Sequence, residues 1–142
     1  MRLALGAARE AAAHDDVPVG CVVSREGRVV ATAGNERELR GDPTAHAEVL
    51  ALRAAALALG GWRLIGCHVH VTLEPCPMCA GALLAARVER VVFGATDPKL
   101  GAAGSATQVL RDPRALTRVD VGGGVLAEES STVLAEFFAA RR

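Results

Sequence analysis

One imidazole, one carboxylate and two thiols stand at spacings that suit a catalytic metal: His46-Ala47-Glu48, and then Pro75-Cys76-Pro77-Met78-Cys79. A neutral imidazole with two thiolates fills three of the four tetrahedral positions around zinc and leaves the last one open to water. Zinc lowers the pKa of such a water from roughly 15.7 to about 7. A nearby carboxylate that does not bind the metal can take the proton, and Glu48 has the chemistry and the place for that part. The alternatives are a closed structural knuckle or two ordinary buried thiols. A knuckle needs a further ligand, and the remaining candidates, Cys21, Cys67, His68 and His70, fall in apolar strand-like runs without ligand spacing. A bare C-x-x-C is a weak signal, but joined to an upstream His-x-Glu it becomes a strong one.

The spacing also makes a geometric demand. At about 100° per residue, positions 46 and 48 point to nearly opposite sides of an ideal helix, so they share a site only near a helix end. Asp42-Pro43-Thr44 supplies polar capping residues and a proline to open such a helix, and the Ala/Leu-rich run to Leu59 continues it. The cysteines repeat the arrangement. Val69 to Leu73 reads as a strand, Pro75 breaks it, and Pro77 suits the first turn of a helix running to about Arg87. Cys76 and Cys79 then share a face, at a helix amino terminus that favours ionised thiols. Two helix starts are therefore expected to converge on one zinc.

The elements that must carry these helices follow from the same pass. Helices are expected at 1–14, 45–59, 77–87 and 127–141, with strands near 19–24, 28–33, 67–73, 90–94 and 117–121 and a helical turn near 106–111. Helices alternating with apolar strands imply a layered α/β domain with a mixed sheet. The first two strands, joined by Arg25-Glu26-Gly27, read as a hairpin. A chain of 142 residues, 51% hydrophobic and 23% charged, suits one compact domain spanning 1–142. Trp62 after Gly60-Gly61 reads as a packing anchor.

Sixteen basic and sixteen acidic side chains cancel, so contact with a polyanion must rest on a local patch. With 3% aromatics and no tyrosine, the chain lacks the stacking platforms of a general single-strand binder, although a pocket for one flipped base remains open to it. Four cysteines point to reduced thiols and metal, and the charged Arg9 and Glu10 interrupt any leader-like apolar run, so a cytoplasmic protein is expected. No run of about 18 apolar residues suggests a membrane span.

The pattern resembles the zinc nucleobase-deaminase signature H-x-E…P-C-x-x-C. Asp42-Pro43-Thr44-Ala45-His46-Ala47-Glu48, Val71-Thr72-Leu73-Glu74-Pro75-Cys76, Met78-Cys79-Ala80-Gly81-Ala82, Val91-Val92-Phe93-Gly94-Ala95 and the loop Asp97 to Ser105 are similar to the bacterial tRNA-specific adenosine deaminases, and the match runs from Pro18-Val19-Gly20 to Phe137-Phe138. The resemblance implies a three-layer α/β/α cytidine-deaminase-like fold with a five-stranded mixed sheet, and one catalytic Zn2+ per subunit held by His46, Cys76 and Cys79. It also implies a homodimer that acts on a tRNA anticodon stem-loop, converting adenosine to inosine at the wobble position of an arginine tRNA. In that chemistry activated water attacks C6 of adenine while Glu48 moves the protons.

The resemblance further places Asn35 against the target base, the Ala47 backbone and the Val17-Pro18 edge in the pocket wall, and Asp97, Lys99 and Phe138 near the RNA. Each has a plainer reading: a turn asparagine, a solvated charged loop, a core phenylalanine. Lys99 is the sole lysine beside fifteen arginines. Two other functions share the zinc residues. One is deamination of a free base or nucleotide such as guanine or cytosine, and the other a non-catalytic, zinc-stabilised RNA-binding subunit. The intact Glu48 disfavours the latter, and the loop from Asp97 to Ser105 favours tRNA over the former.

Overall fold

The computed structural model describes all 142 residues. Its frame is a five-stranded sheet in the order β2-β1-β3-β4-β5. The strands are β1 (Gly20–Arg25), β2 (Arg28–Gly34), β3 (Cys67–Leu73), β4 (Arg90–Ala95) and β5 (Asp120–Gly122). β1 runs antiparallel to β2 and β3, whereas β3, β4 and β5 are parallel, so the sheet is mixed as the alternation of elements predicts. β1 and β2 form the expected hairpin. Glu26 and Gly27 both take positive φ, 51° and 74°, which suits a two-residue turn whose twist matches the strands.

Helices cover both faces. Along β1 the side chains alternate: Cys21 and Val23 enter the core cluster with Ala47, Ala51 and Ala55 of α3 (Ala47–Leu59). Gly20 points the other way, onto α1 (Arg2–Ala13), where a Cβ would collide with the Ala4 carbonyl. Only glycine lets this helix lie so close, and the helix answers with small buried residues, Ala4, Ala7, Ala8 and Ala11. α4 (Pro77–Ala86) lies beside α3, and α5 (Ala127–Ala139) lies beside α1 and over β4. The result is the three-layer α/β/α arrangement. Between the layers sit Val69, Val71, Val91 and Leu83, each fully buried. No helix is long and apolar enough to cross a membrane.

Five local expectations need correction. α3 begins at Ala47, not 45, because Asp42 turns inward on its own segment: its Oδ1 accepts from the Thr44 amide at 2.8 Å and the Thr44 hydroxyl at 2.7 Å, so it caps a turn and not a helix. A short helix α2 (Arg37–Arg40) was not expected; the carboxylate of Asp16, distant in sequence, accepts from the Glu38 and Leu39 amides at its start. The stretch 117–121 joins the sheet only from Asp120 on, because the Thr117 hydroxyl donates to the Leu84 carbonyl at the end of α4. The helical turn near 106–111 shortens to Val109–Arg111. Trp62 is also no packing anchor: it is 53% exposed, with the Arg63 and Arg87 guanidinium groups over its ring.

Candidate metal centre and active site

Two helix starts meet at one point. His46 is the N-cap of α3, in extended backbone at φ −70° and ψ 151°, and Glu48 is the second helical residue. The backbone turn between them resolves the conflict that an ideal helix would impose on positions 46 and 48. Cys76 is likewise the N-cap of α4, with Pro77 first in the helix and Cys79 one turn in. Both N-caps already accept a helical bond through their carbonyls, from Leu50 and Ala80 respectively. Both helix dipoles therefore present their positive ends here, where they favour anionic sulfur and carboxylate.

The donor atoms of His46, Cys76 and Cys79 lie within 4.8 Å of one another. Nδ1 of His46 stands 3.7 Å from the Cys76 sulfur and 3.5 Å from that of Cys79. Zinc bonds of about 2.0 Å to nitrogen and about 2.3 Å to sulfur, at tetrahedral angles, separate the two ligand types by about 3.5 Å, so the donor set fits zinc. Other His, Cys, Asp and Glu side chains form no comparable group.

The two thiols share protons unequally. The hydrogen bond from Cys79, with help from His46, pulls the Cys76 thiol down to about 4, and that same bond with burial holds Cys79 up. The bond to Cys76 raises the His46 imidazole. Burial raises Glu48, whose side chain is 4% exposed. A buried carboxyl beside the donor set is placed to take and return a proton.

His46, Cys76 and Glu48 face a cavity of about 400 Å³, within the ~300–1,000 Å³ usual for small-molecule sites. Val17, Asn35, Ala47, Asp97, Lys99 and Phe138 line it too. Pro18 does not: it is buried, and its neighbours Val17 and Val19 face the cavity. The two adjacent phenylalanines divide. Phe137 is 8% exposed and packs in the interior, whereas Phe138 is 48% exposed and lines the cavity. Asn35 is 5% exposed; its Nδ2 donates to the Val17 carbonyl at 3.1 Å and its Oδ1 accepts from the Arg37 amide. One N–H and one lone pair of the amide remain uncommitted.

Residues 1–95 match the family of the cytidine and deoxycytidylate deaminase zinc-binding region. The chain belongs to that deaminase family. It is 46% identical, over 97% of its length and 86% of the relative's, to the tRNA-specific adenosine deaminase of Bacillus subtilis. A solved structure from work on A-to-I editing by tRNA:A34 deaminases at the wobble position of transfer RNA superposes with a TM-score of 0.91 at 45% identity. That match covers 94% of this chain and 97% of the other. The guanine deaminase of Bacillus subtilis gives a TM-score of 0.65 at 30% identity, covering 99% and 90%. The chain is a hydrolytic deaminase of a zinc-binding family, with a His/Cys/Cys group that could hold a metal ion, built on the fold that the resemblance implied.

Three residues of this deaminase site went unread in the sequence. Arg37 lines the cavity, and its position two residues after Asn35 was the available signal. Asp16 and Glu74 are buried carboxylates, 0% and 2% exposed, that hold backbone amides of α2 and of the 97–105 loop, the two segments that carry Arg37 and Asp97 to the cavity. An acidic residue at the end of an apolar strand, as in Thr72-Leu73-Glu74-Pro75, was the one hint for Glu74.

Proposed function

We propose that this deaminase converts adenosine to inosine at the wobble position of a tRNA anticodon, with an arginine tRNA as substrate, in the cytoplasm. The observation that carries the reading is that two members of the His/Cys/Cys donor set, His46 and Cys76, and the buried Glu48 line one base-sized cavity. The 46% identity to a tRNA-specific adenosine deaminase supports the choice of substrate. His46, Cys76 and Cys79 would hold one zinc ion per subunit, and bound zinc supplies a Lewis acid that makes water a nucleophile near neutral pH.

The protein's own residues then do the rest. Glu48 accepts one proton of the attacking water and gives it to N1 of adenine as oxygen bonds to C6; it then takes the proton of the new C6 hydroxyl and gives it to the exocyclic nitrogen as the C6–N bond breaks. Ammonia leaves and inosine remains. The free N–H and lone pair of Asn35 read the base edge, while the Ala47 backbone and Val17, backed by Pro18, wall the pocket. Phe138 offers a ring to the base, and Asp97 lies at the rim with Lys99. Arg37 and Lys99 line the cavity and neither side chain is in an ion pair, which leaves local positive charge for phosphates in a chain of zero formal net charge.

We also infer a homodimer. An apolar groove of about 320 Å³ runs between α3 and α4, lined by Leu52, Ala56, Ala82 and Ala86 and flanked by the exposed Trp62. A dimer in sedimentation at micromolar concentration is expected, and a monomer alone would refute it. The substrate is tested by ammonia release from an arginine-tRNA anticodon stem-loop, free guanine and free cytosine in parallel. Release from the stem-loop alone supports the reading; release only from a free base overturns the substrate and keeps the zinc chemistry.

A further inference from the structure

Glu74 takes no part in the chemistry above, yet no other side chain accepts as many hydrogen bonds. Its Oε1 accepts from the amides of Ala103 at 3.0 Å and Ser105 at 3.1 Å, and its Oε2 accepts from the Asp97 amide at 3.0 Å and from the Ser105 hydroxyl. All these donors belong to one loop, 97–105. Gly101 in the middle of that loop lies so near the Glu74 carboxylate that a Cβ there would strike it, so the loop closes tightly around the group. The backbone adds two ties: the Glu74 amide donates to the Ala95 carbonyl at 2.8 Å, and the Ala102 amide donates to the Pro75 carbonyl at 2.7 Å.

A buried charge is costly unless it is well hydrogen-bonded. No cation pairs with Glu74, so the loop alone satisfies it. The same loop presents Asp97, Lys99 and Leu100 to the cavity. On its other side Glu74 is one residue, Pro75, from the donor Cys76. The carboxylate therefore links the end of the metal centre to the rim that would meet the nucleotides around the reacting base.

We propose that Glu74 is a positioning residue that fixes the Asp97–Ser105 loop against the Cys76 end of the centre and so sets the affinity for the RNA substrate. The inference rests on the tRNA reading above. Loss of Glu74 leaves the zinc donors and Glu48 in place, and it frees the rim. The effect falls on substrate binding, which raises KM with little change in kcat.

The test compares zinc-loaded wild type with Glu74→Gln on an arginine-tRNA anticodon stem-loop. A glutamine keeps the shape but can accept on one side only. With its oxygen held by Ala103 and Ser105, its Nε2 faces the Asp97 N–H, donor against donor. The expected result is an unchanged zinc content, a KM raised at least about tenfold and a kcat within about threefold of wild type, the scale of one lost charge-assisted bond. Amide hydrogen exchange across 97–105 should accelerate while the starts of α3 and α4 keep their protection. Ser105→Ala, which removes one of the bonds at a more exposed position, should raise KM less, and it carries the test if Glu74→Gln does not fold. Unchanged KM, lost zinc, or a fall in kcat at constant KM would each overturn the inference. If wild type forms no inosine on the stem-loop, the substrate reading itself fails, and the exchange comparison still reports whether Glu74 holds the loop.

Discussion

Replacing Asp16 by alanine removes an acceptor shared by two backbone amides, those of Glu38 at 2.7 Å and Leu39 at 3.1 Å, and by the His14 ring at 3.0 Å. The carboxylate is fully buried, and burial pushes it up, but the two amides and His14 outweigh this and leave it below its ordinary value. A hydrogen bond to a charged group contributes about 1.5–3 kcal/mol. Glu38 and Leu39 are exposed, so water reaches their freed amides and the low end applies. Two such bonds give a loss of about 3 kcal/mol, with little added for the part-exposed His14. For a domain of this size that lowers the melting temperature by roughly 10 °C.

The sign with pH follows from the direction of the shift. A carboxyl depressed in the folded state contributes stability above its unfolded value, about 3.9, and that contribution fades as pH falls through the lower folded value. The gap between wild type and Asp16→Ala should be full at pH 7 and shrink below about pH 4. Urea unfolding of the zinc-loaded proteins at several pH values measures it. A gap under about 1 kcal/mol at pH 7, or one that persists unchanged at pH 3, would refute the reasoning.

Cys76→Ala should leave less than about half the wild-type zinc by elemental analysis, because a two-donor site cannot compete with a three-donor one; undiminished zinc would mean the donor set is wrong. Asn35→Ala should retain zinc and lose roughly tenfold or more in kcat/KM on the stem-loop, the scale of one or two lost bonds to a base edge. Gly20→Ala should destabilise by more than about 2 kcal/mol in urea unfolding, since its Cβ would meet the Ala4 carbonyl of α1. A neutral Gly20→Ala would mean that α1 can shift outward freely.

That His46, Glu48, Cys76 and Cys79 come together was legible because their pattern is rare and local: a His-x-Glu and a Pro-Cys-x-x-Cys each fall at a helix start, and helix starts carry proline and polar signals. The strands were legible from apolar runs such as Val69 to Leu73 and Val91 to Phe93. What stayed hidden depends on contacts distant in sequence. α2 owes its start to Asp16, more than twenty residues earlier, and no local pattern in Arg37–Arg40 announces it. The Asp42-Pro43-Thr44 run carries a capping signature, yet Asp42 spends its oxygen on Thr44 inside a turn. The exposure of Trp62 and the opposite fates of Phe137 and Phe138 depend on which helix face the sheet covers. The part played by Glu74 could be read only once the loop was seen to fold back around it.

The central claim is that a zinc-bearing centre with Glu48 deaminates one adenosine in an anticodon. The direct measurement is mass spectrometry of an arginine-tRNA anticodon stem-loop after incubation with zinc-loaded wild type and, separately, zinc-loaded Glu48→Ala. The account predicts inosine at the wobble position with wild type, and a loss of at least about 10²–10⁴-fold in rate with Glu48→Ala at undiminished zinc. No inosine with wild type, or equal inosine from the Glu48→Ala protein, would contradict it.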